Sequence, residues 1–238
     1  MLELVVASSR GPHLVVMTQS LESIRQLVRT GDYVSAEKLA KAFLEEQHPS
    51  PEDQVTALLL WAYSADMNEL NGRRNAAHGY PSASELAVRA VKVARSRLSA
   101  THGQRAGAEY RAGMYLHSVG RNEEAWEHVS LAYEYWASRG RVETMLVSLY
   151  AEVSLACGKA NLAVAPAKAM VEYENTRGVR TTLIMAVWLY GRCLAAVGDI
   201  AEARAQLEIA FDLAVKERSH PELLAELQAI IDECSSKG

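Results

Sequence analysis

The sequence contains no long hydrophobic run and only three cysteines. No stretch approaches the roughly 20 consecutive apolar residues of a membrane-spanning helix, so we expect no membrane association. The cysteines, Cys157, Cys193 and Cys234, are scattered without CxxC spacing, which favours a reducing compartment over a disulfide framework. The N-terminus has neither the basic nor the apolar region of a secretory signal. The sequence therefore predicts a cytoplasmic protein.

The chain also lacks an excess of positive charge. Its net charge is −4, so whole-protein electrostatics offer no attraction to nucleic acid, and no nucleic-acid partner is expected. Aromatic residues make up only 7% of the chain, and Val and Ile form no alternating runs after residue 20. The apolar fraction of 49% is enough for a substantial core. These features favour a helical soluble protein.

Motifs of catalysis are missing as well. The sequence contains no HExxH, GxSxG, GxxxxGK[ST] or GxGxxG. Of seven histidines, only His117 and His128 fall within one repeat, and Glu124 in the intervening turn does not complete a metal site. Cys157 and Cys193 occur in apolar helical runs, where buried structural thiols are common. We expect no catalytic residues, no metal and no cofactor, and predict that the protein is not an enzyme.

What the sequence does contain is an internal repeat. Three segments align: YLHSVGRNEEAWEHVSLAYEYW (115–136), EVSLACGKANLAVAPAKAMVEY (152–173) and CLAAVGDIAEARAQLEIAFDLA (193–214). A fourth copy is LVRTGDYVSAEKLAKAF (27–43). Each is an apolar helical run ending in Gly, a short polar turn, and a helix with Ala five residues after the Gly. The glycines are Gly31, Gly120, Gly158 and Gly198. Glycine just past a helix supplies the left-handed cap, and early Ala lets the next helix pack closely.

This pattern resembles the tetratricopeptide repeat. Gly113, Ala151 and Gly191 occupy its small position in the middle of the first helix, each seven residues before the turn glycine. The first-helix Trp of that family is absent in register. The repeat steps are also longer than the family's, which indicates long helices, as in bacterial regulatory and kinesin-light-chain-like members. The resemblance covers about residues 18–218 and implies an all-α fold, a right-handed α-solenoid of about five helical hairpins plus a C-terminal capping helix.

The expected array covers residues 17–218. Its hairpins are predicted at about 17–48, 53–100, 104–138, 142–176 and 180–217. Residues 219–238 form a capping helix and tail, with a capping box between Ser219 and Glu222. For residues 1–16 two interpretations stay open: an N-terminal arm, ordered or disordered, or a misassigned start ahead of a true start at Met17, where the helical pattern is expected to begin.

The resemblance also implies a binding surface, because first helices line the concave groove of such arrays. The groove candidates are Arg25, Arg29, Tyr63, Asp66, Tyr110, Arg111, Met114, His117, Met145, Ser148, Glu152, Met185, Trp188 and Arg192. For Trp188 and Met114 the alternative is packing between repeats. Aromatic residues, Met and Arg are the types enriched at interface hot spots.

One turn departs from the pattern. The segment NGRRNAAHGYPS (71–82) replaces a turn of a few residues in the second hairpin. Its candidate contact residues are Arg73, Arg74, His78 and Tyr80. Two interpretations stay open, a solvated loop or a second contact on the edge of the array.

The expected function is a non-enzymatic scaffold or adaptor that binds a segment of a partner protein, of apolar and acidic character, in the groove. The alternative is a small-molecule or signalling-peptide sensor module of a regulatory system. Self-association into a homo-oligomer through the N-terminal repeats is a further expectation.

Overall fold

The computed structural model describes residues 4–6, 15–17, 20–46, 49–72, 80–140 and 144–237. These residues contain eleven helices: α1 Leu21–Thr30, α2 Tyr33–Glu46, α3 Pro51–Leu70, α4 Ala83–Arg97, α5 Gly103–Ser118, α6 Asn122–Ala137, α7 Thr144–Ala156, α8 Ala160–Arg177, α9 Arg180–Val197, α10 Ile200–Lys216 and α11 Pro221–Lys237. The helices α1 and α2, α3 and α4, α7 and α8, and α9 and α10 pair as successive hairpins, and α11 packs on α10. The predicted all-α repeat architecture is confirmed.

A short hairpin precedes the helices. Strand β1, Leu4–Val6, pairs antiparallel with β2, Val15–Met17. Helix α1 begins at Leu21 and not at Met17 as the pattern predicted. The reason is the Ser20 side chain, which accepts a hydrogen bond from the Ser23 N–H and so caps the helix there.

The four predicted turn glycines end their helices in the left-handed conformation. Their φ angles are 77° at Gly31 and Gly120, 66° at Gly158 and 88° at Gly198. At Gly198 the next N–H, that of Asp199, donates to the Leu194 carbonyl at 3.0 Å, which closes the turn. Residues with a Cβ reach this backbone region only with strain. The prediction that these glycines end their helices is confirmed.

The chain divides into two compact units, residues 1–115 and 116–238, with the boundary inside α5. The core of unit 1 is built from small and branched residues of α1 to α5, including Ile24, Leu86, Ala87 and Ala90. A buried carboxylate lies within it. Glu37 on α2 accepts hydrogen bonds from Trp61 Nε1 at 3.2 Å and Asn68 Nδ2 at 2.6 Å, both on α3.

Unit 2 has its own core along α7 to α11. Gly191 in α9 lies against α10, where an added Cβ would come within 2.8 Å of Leu207 Cγ. The small residue predicted at this position is therefore required by close helix packing. Glu174 on α8 is fully buried and accepts from the hydroxyls of Thr144 and Thr182, each at 2.5 Å. This carboxylate ties α8 to α7 and α9.

The N-terminal caps of α4 and α11 differ from each other. Ser82 and Glu85 form a reciprocal capping box at the start of α4. The capping box predicted between Ser219 and Glu222 is wrong. Helix α11 begins at Pro221, because proline is favoured at the first helical position. This puts the N-cap at His220, whose carbonyl accepts from the Leu223 N–H at 3.0 Å.

Candidate functional site

In unit 1, two partly exposed tyrosines and one buried tyrosine lie near Asp66 and Arg111. We call Tyr33, Tyr63 and Tyr115 the tyrosine cluster. Tyr33 opens α2, and its ring meets that of Tyr63 on α3 edge-on, with centroids 5.9 Å apart and an interplanar angle of 77°. Asp66 lies one helical turn after Tyr63, so both side chains share a face of α3. Asp66 and Tyr63 are each partly exposed.

Electrostatic interactions connect this cluster to α5. Burial raises the pKa of Tyr115, and the charge of Asp66 raises it further, while Arg111 opposes both. Burial also raises the pKa of Tyr63, followed by its hydrogen bond with Tyr33. The pKa of the Asp66 carboxyl is raised first by burial and then by the nearby charge of Glu69. The structure thus brings together the predicted candidates Tyr63, Asp66 and Arg111.

Other predicted residues of unit 1 lie at its surface. Arg25 and Arg29 both reach Glu22 on their own helix, with nitrogen–oxygen distances of 3.4 and 3.1 Å. The Arg111 guanidinium carbon lies 5.7 Å from the centre of the Tyr110 ring. Met114 packs partly buried against the core, which is the alternative left open for it.

In unit 2, His117 links the end of α5 to α6 and α7. Its Nδ1 lies 2.7 Å from Asn122 Oδ1, and its Nε2 lies 3.9 Å from Glu152 Oε2. His117 on α5 and Glu152 on α7 are therefore neighbours. Met145 stands 72% exposed near the start of α7, while the Ser148 hydroxyl is directed at Met170 Sδ.

Of the two alternatives left open for Trp188, groove exposure and packing between repeats, the structure has the second. Its side chain is only 8% exposed and belongs to the core of unit 2, because α9 packs between α8 and α10. Arg192, one turn later, covers it, with the guanidinium carbon 4.8 Å from the ring centre. The Trp188 Nε1 atom is buried without an acceptor among the described residues. At this surface, the Trp188 ring therefore lies beneath the Arg192 guanidinium.

Arg192 also lines a cavity of about 430 Å³, which we call the α11 cavity. Its walls are formed by α7 and α9, by the C-terminal helix α11 and by the start of α10. The lining residues are Leu155, Arg192, Ala195, Ala196, Ile200, Glu226, Ala229, Ile230, Glu233 and Cys234. Within the described part of the chain, Arg192 forms no hydrogen bond or ion pair, although the carboxylates of Glu226 and Glu233 on α11 line the same cavity.

Of the four edge-loop candidates, only Tyr80 lies among the described residues. Arg73, Arg74 and His78 lie outside the described residues. Tyr80 is 45% exposed just before Ser82, the cap of α4. The connection from α3 to α4 runs from residue 71 to residue 82, as the pattern indicated.

The thiols and the metal-ligating side chains show no catalytic arrangement within the described ranges. Burial raises the pKa of Cys193 to about 11 and also raises that of Cys157, so both remain protonated thiols and poor nucleophiles at neutral pH. No three described side chains converge as metal ligands. Across the described helices, none combines the length and apolar composition of a membrane crossing.

Sequence reasoning missed Tyr33 and Tyr115 as members of the site. Tyr33 belongs to a second helix, and its ring reaches α3 only because the turn at Gly31 is so short. Tyr115 follows a predicted candidate on α5 but points into the buried side. The signal that could have found them is the clustering of tyrosines near the first three hairpins.

No protein-family model and no curated protein matches the chain. Several solved structures do. A kinesin-light-chain-type protein of Podosopora anserina with nearly identical TPR-like repeats is 18% identical, with a TM-score of 0.63 over 83% of this chain and 94% of that one. A Rap protein complexed with competence and sporulation factor is 15% identical, with a TM-score of 0.57 over 91% of this chain and 59% of that one.

A further match is the apo form of RapI, which is 12% identical with a TM-score of 0.55 over 91% of this chain and 83% of that one. At these identities the likeness establishes the fold. The chain has a tetratricopeptide-type helical repeat fold, as the glycine and alanine spacing indicated.

Proposed function

We propose that the protein is a non-enzymatic interaction scaffold that holds a segment of a partner protein against its first-helix surfaces. The observation that carries this proposal is the α11 cavity. Its walls come from α7, α9 and α11, and its lining is mostly apolar, with the Arg192 guanidinium and the carboxylates of Glu226 and Glu233 as its charged groups. Apolar walls with few placed polar groups are typical of binding sites.

The apolar walls and Arg192 support a segment with an apolar side chain and a carboxylate, which must lie on the Arg192 side of the cavity because Glu226 and Glu233 on α11 repel it. Leu155, Ile200 and Ile230 offer apolar contact. Arg192, stacked on Trp188, is held in place at low entropic cost and presents a planar donor to a carboxylate. The Rap protein crystallised with competence and sporulation factor is a protein of the same fold that holds another molecule, which supports the proposal by analogy.

The test is a peptide array probed with the full-length protein, in which each peptide carrying Leu and Glu is matched by one carrying Leu and Gln. We expect retention of the acidic members, and Arg192→Glu should weaken it by at least about tenfold, because the charge contact becomes repulsive. The matched control is Lys168→Glu, an exposed lysine on α8, a second helix. Equal retention of acidic and amide peptides, or an unchanged affinity in Arg192→Glu, would refute the proposal.

A second candidate function is a sensor for a small molecule or signalling peptide. The volume of the α11 cavity, about 430 Å³, favours it, because small-molecule sites are cavities of roughly 300–1,000 Å³. Thermal-shift screening of a metabolite set separates the two functions. A saturable rise in melting temperature that Arg192→Glu abolishes supports the sensor, whereas no rise with any metabolite leaves the scaffold.

A further inference from the structure

The α11 cavity has charged groups of both signs on opposite walls. The wall on α9 holds the Arg192 guanidinium, and the wall on α11 holds the carboxylates of Glu226 and Glu233. The other lining residues are aliphatic, apart from the thiol of Cys234. A ligand that carries only acidic groups therefore gains one favourable contact, at Arg192, and is opposed by two carboxylates.

The charges of the two walls are not paired with each other. Arg192 forms no hydrogen bond or ion pair with another described residue, and the same holds for Glu226. The Arg192 guanidinium is stacked on the Trp188 ring instead, with its carbon 4.8 Å from the ring centre, which holds it at the α9 wall. Glu226 is exposed on α11. A ligand that reaches both walls can therefore supply a counter-charge to each of them.

Aliphatic surface adjoins both charged groups. Ile230 lies one helical turn after Glu226 on α11, and Ala196 lies one turn after Arg192 on α9. Ile200, at the start of α10, lines the cavity as well. An apolar side chain placed between two charged ones would thus find contact area in the same cavity.

We propose that the part of the partner segment bound in the α11 cavity carries both an acidic and a basic side chain. The carboxylate contacts Arg192, a lysine or arginine contacts Glu226, and an apolar side chain lies between them. The inference rests on the proposed function for the contact at Arg192, and it adds the basic residue. Such a segment makes charge-assisted contacts on both walls, whereas a uniformly acidic one is repelled by α11, so the cavity discriminates between them.

The experiment titrates the full-length protein with the acetylated peptide amide Glu-Ala-Leu-Ala-Lys and with the same peptide carrying norleucine in place of lysine. Binding is read at Cys234, a free cysteine that lines the cavity, as the rate of its alkylation by iodoacetamide, followed by mass spectrometry. We expect both peptides to slow the alkylation saturably. The dissociation constant of the lysine peptide should be about threefold lower, the effect of an exposed ion pair. This difference should vanish in about 1 M salt, which screens such a pair. Equal dissociation constants at low salt would overturn the inference.

Two substitutions assign the basic contact. Glu226→Gln should remove the advantage of lysine over norleucine. Asp232→Asn, which removes one negative charge from an exposed position of the same helix outside the cavity lining, should keep it. An advantage that persists in Glu226→Gln would refute the contact with this carboxylate. If Glu226→Gln does not fold by circular dichroism, the comparison of the two peptides at low and high salt in the unsubstituted protein decides.

The peptides also separate this inference from the proposed function. Replacing their glutamate by glutamine tests the contact with Arg192, and replacing their lysine by norleucine tests the contact with Glu226. An effect of lysine without an effect of glutamate keeps the basic contact and refutes the acidic one. An effect of glutamate without an effect of lysine refutes this inference alone, and peptides that leave the alkylation of Cys234 unchanged overturn both.

Discussion

Glu174 offers the sharpest test of what stabilises unit 2. Its carboxylate is fully buried and accepts hydrogen bonds from Thr144 Oγ1 on α7, Thr182 Oγ1 on α9 and Arg177 Nη1 on its own helix. Substitution by Ala removes the acceptor and leaves two hydroxyls and a guanidinium without it. Breaking a buried hydrogen-bonded ion pair costs about 3–5 kcal/mol. Because Arg177 is 46% exposed and regains water, we expect the lower end, about 3 kcal/mol.

The matched control is Glu172→Ala, an exposed glutamate on the same helix with the same change of charge. Thermal unfolding followed by circular dichroism should show a fall in melting temperature of roughly 6–12 °C for Glu174→Ala, because 1 kcal/mol corresponds to about 2–4 °C in a chain of this size. The control should change it by less than about 2 °C. Equal melting temperatures in the two variants would refute the assigned role of this carboxylate.

The same residue makes stability depend on pH. Burial opposes ionisation of Glu174, but its bonds to Thr144 and Thr182 and the charge of Arg177 outweigh it, so its pKa is lowered in the folded protein. A lowered pKa means that the stabilisation is complete above the ordinary Glu value of about 4.3 and is lost as pH falls through the folded value. The stability difference between the unsubstituted protein and Glu174→Gln should therefore shrink below about pH 4. A difference that stays constant from pH 7 to pH 3 would contradict this assignment.

Two further substitutions test the packing and the ion pairs. Gly191→Ala should destabilise the protein by about 1–3 kcal/mol in urea unfolding, because the added Cβ meets Leu207. Gly107→Ala, with open space around the added Cβ, should be neutral or stabilising. Equal effects of the two substitutions would contradict the close packing of α9 on α10. Arg95→Ala should cost about 3 kcal/mol, because it removes the ion pair and two hydrogen bonds to the buried Glu109 carboxylate. A loss below about 0.5 kcal/mol, as for an ordinary surface change, would show that Glu109 finds other donors.

The hairpins could be predicted from the sequence because their signals are local. A turn glycine such as Gly198 and the alanine five residues later, Ala203, fix where one helix ends and where the next packs. A left-handed cap and a close helix contact depend on the identity of a few adjacent residues. Both signals can therefore be recognised without knowing the rest of the chain.

The candidate sites were only partly predictable, because they depend on contacts between distant segments. Trp188 has a residue type common at binding surfaces, and only the packing of α8 and α10 around α9 shows that it is buried. A glutamate such as Glu174 normally lies on a solvated helix face, and its burial is decided by Thr144, 30 residues earlier in the chain. Tyr33 was missed for the same reason, since its partner is Tyr63 on another helix.

In this protein, buried charged residues that have partners explain stability, whereas a charged residue without a hydrogen bond or ion pair is a candidate for ligand binding. Glu109 and Glu174 are buried, fully partnered, and explained by the stability of the helix stack. Arg192 is partly exposed, lies on a first helix, and forms no hydrogen bond or ion pair with another described residue. Leaving a desolvated charge unpaired costs free energy, and a bound ligand that supplies the counter-charge recovers it.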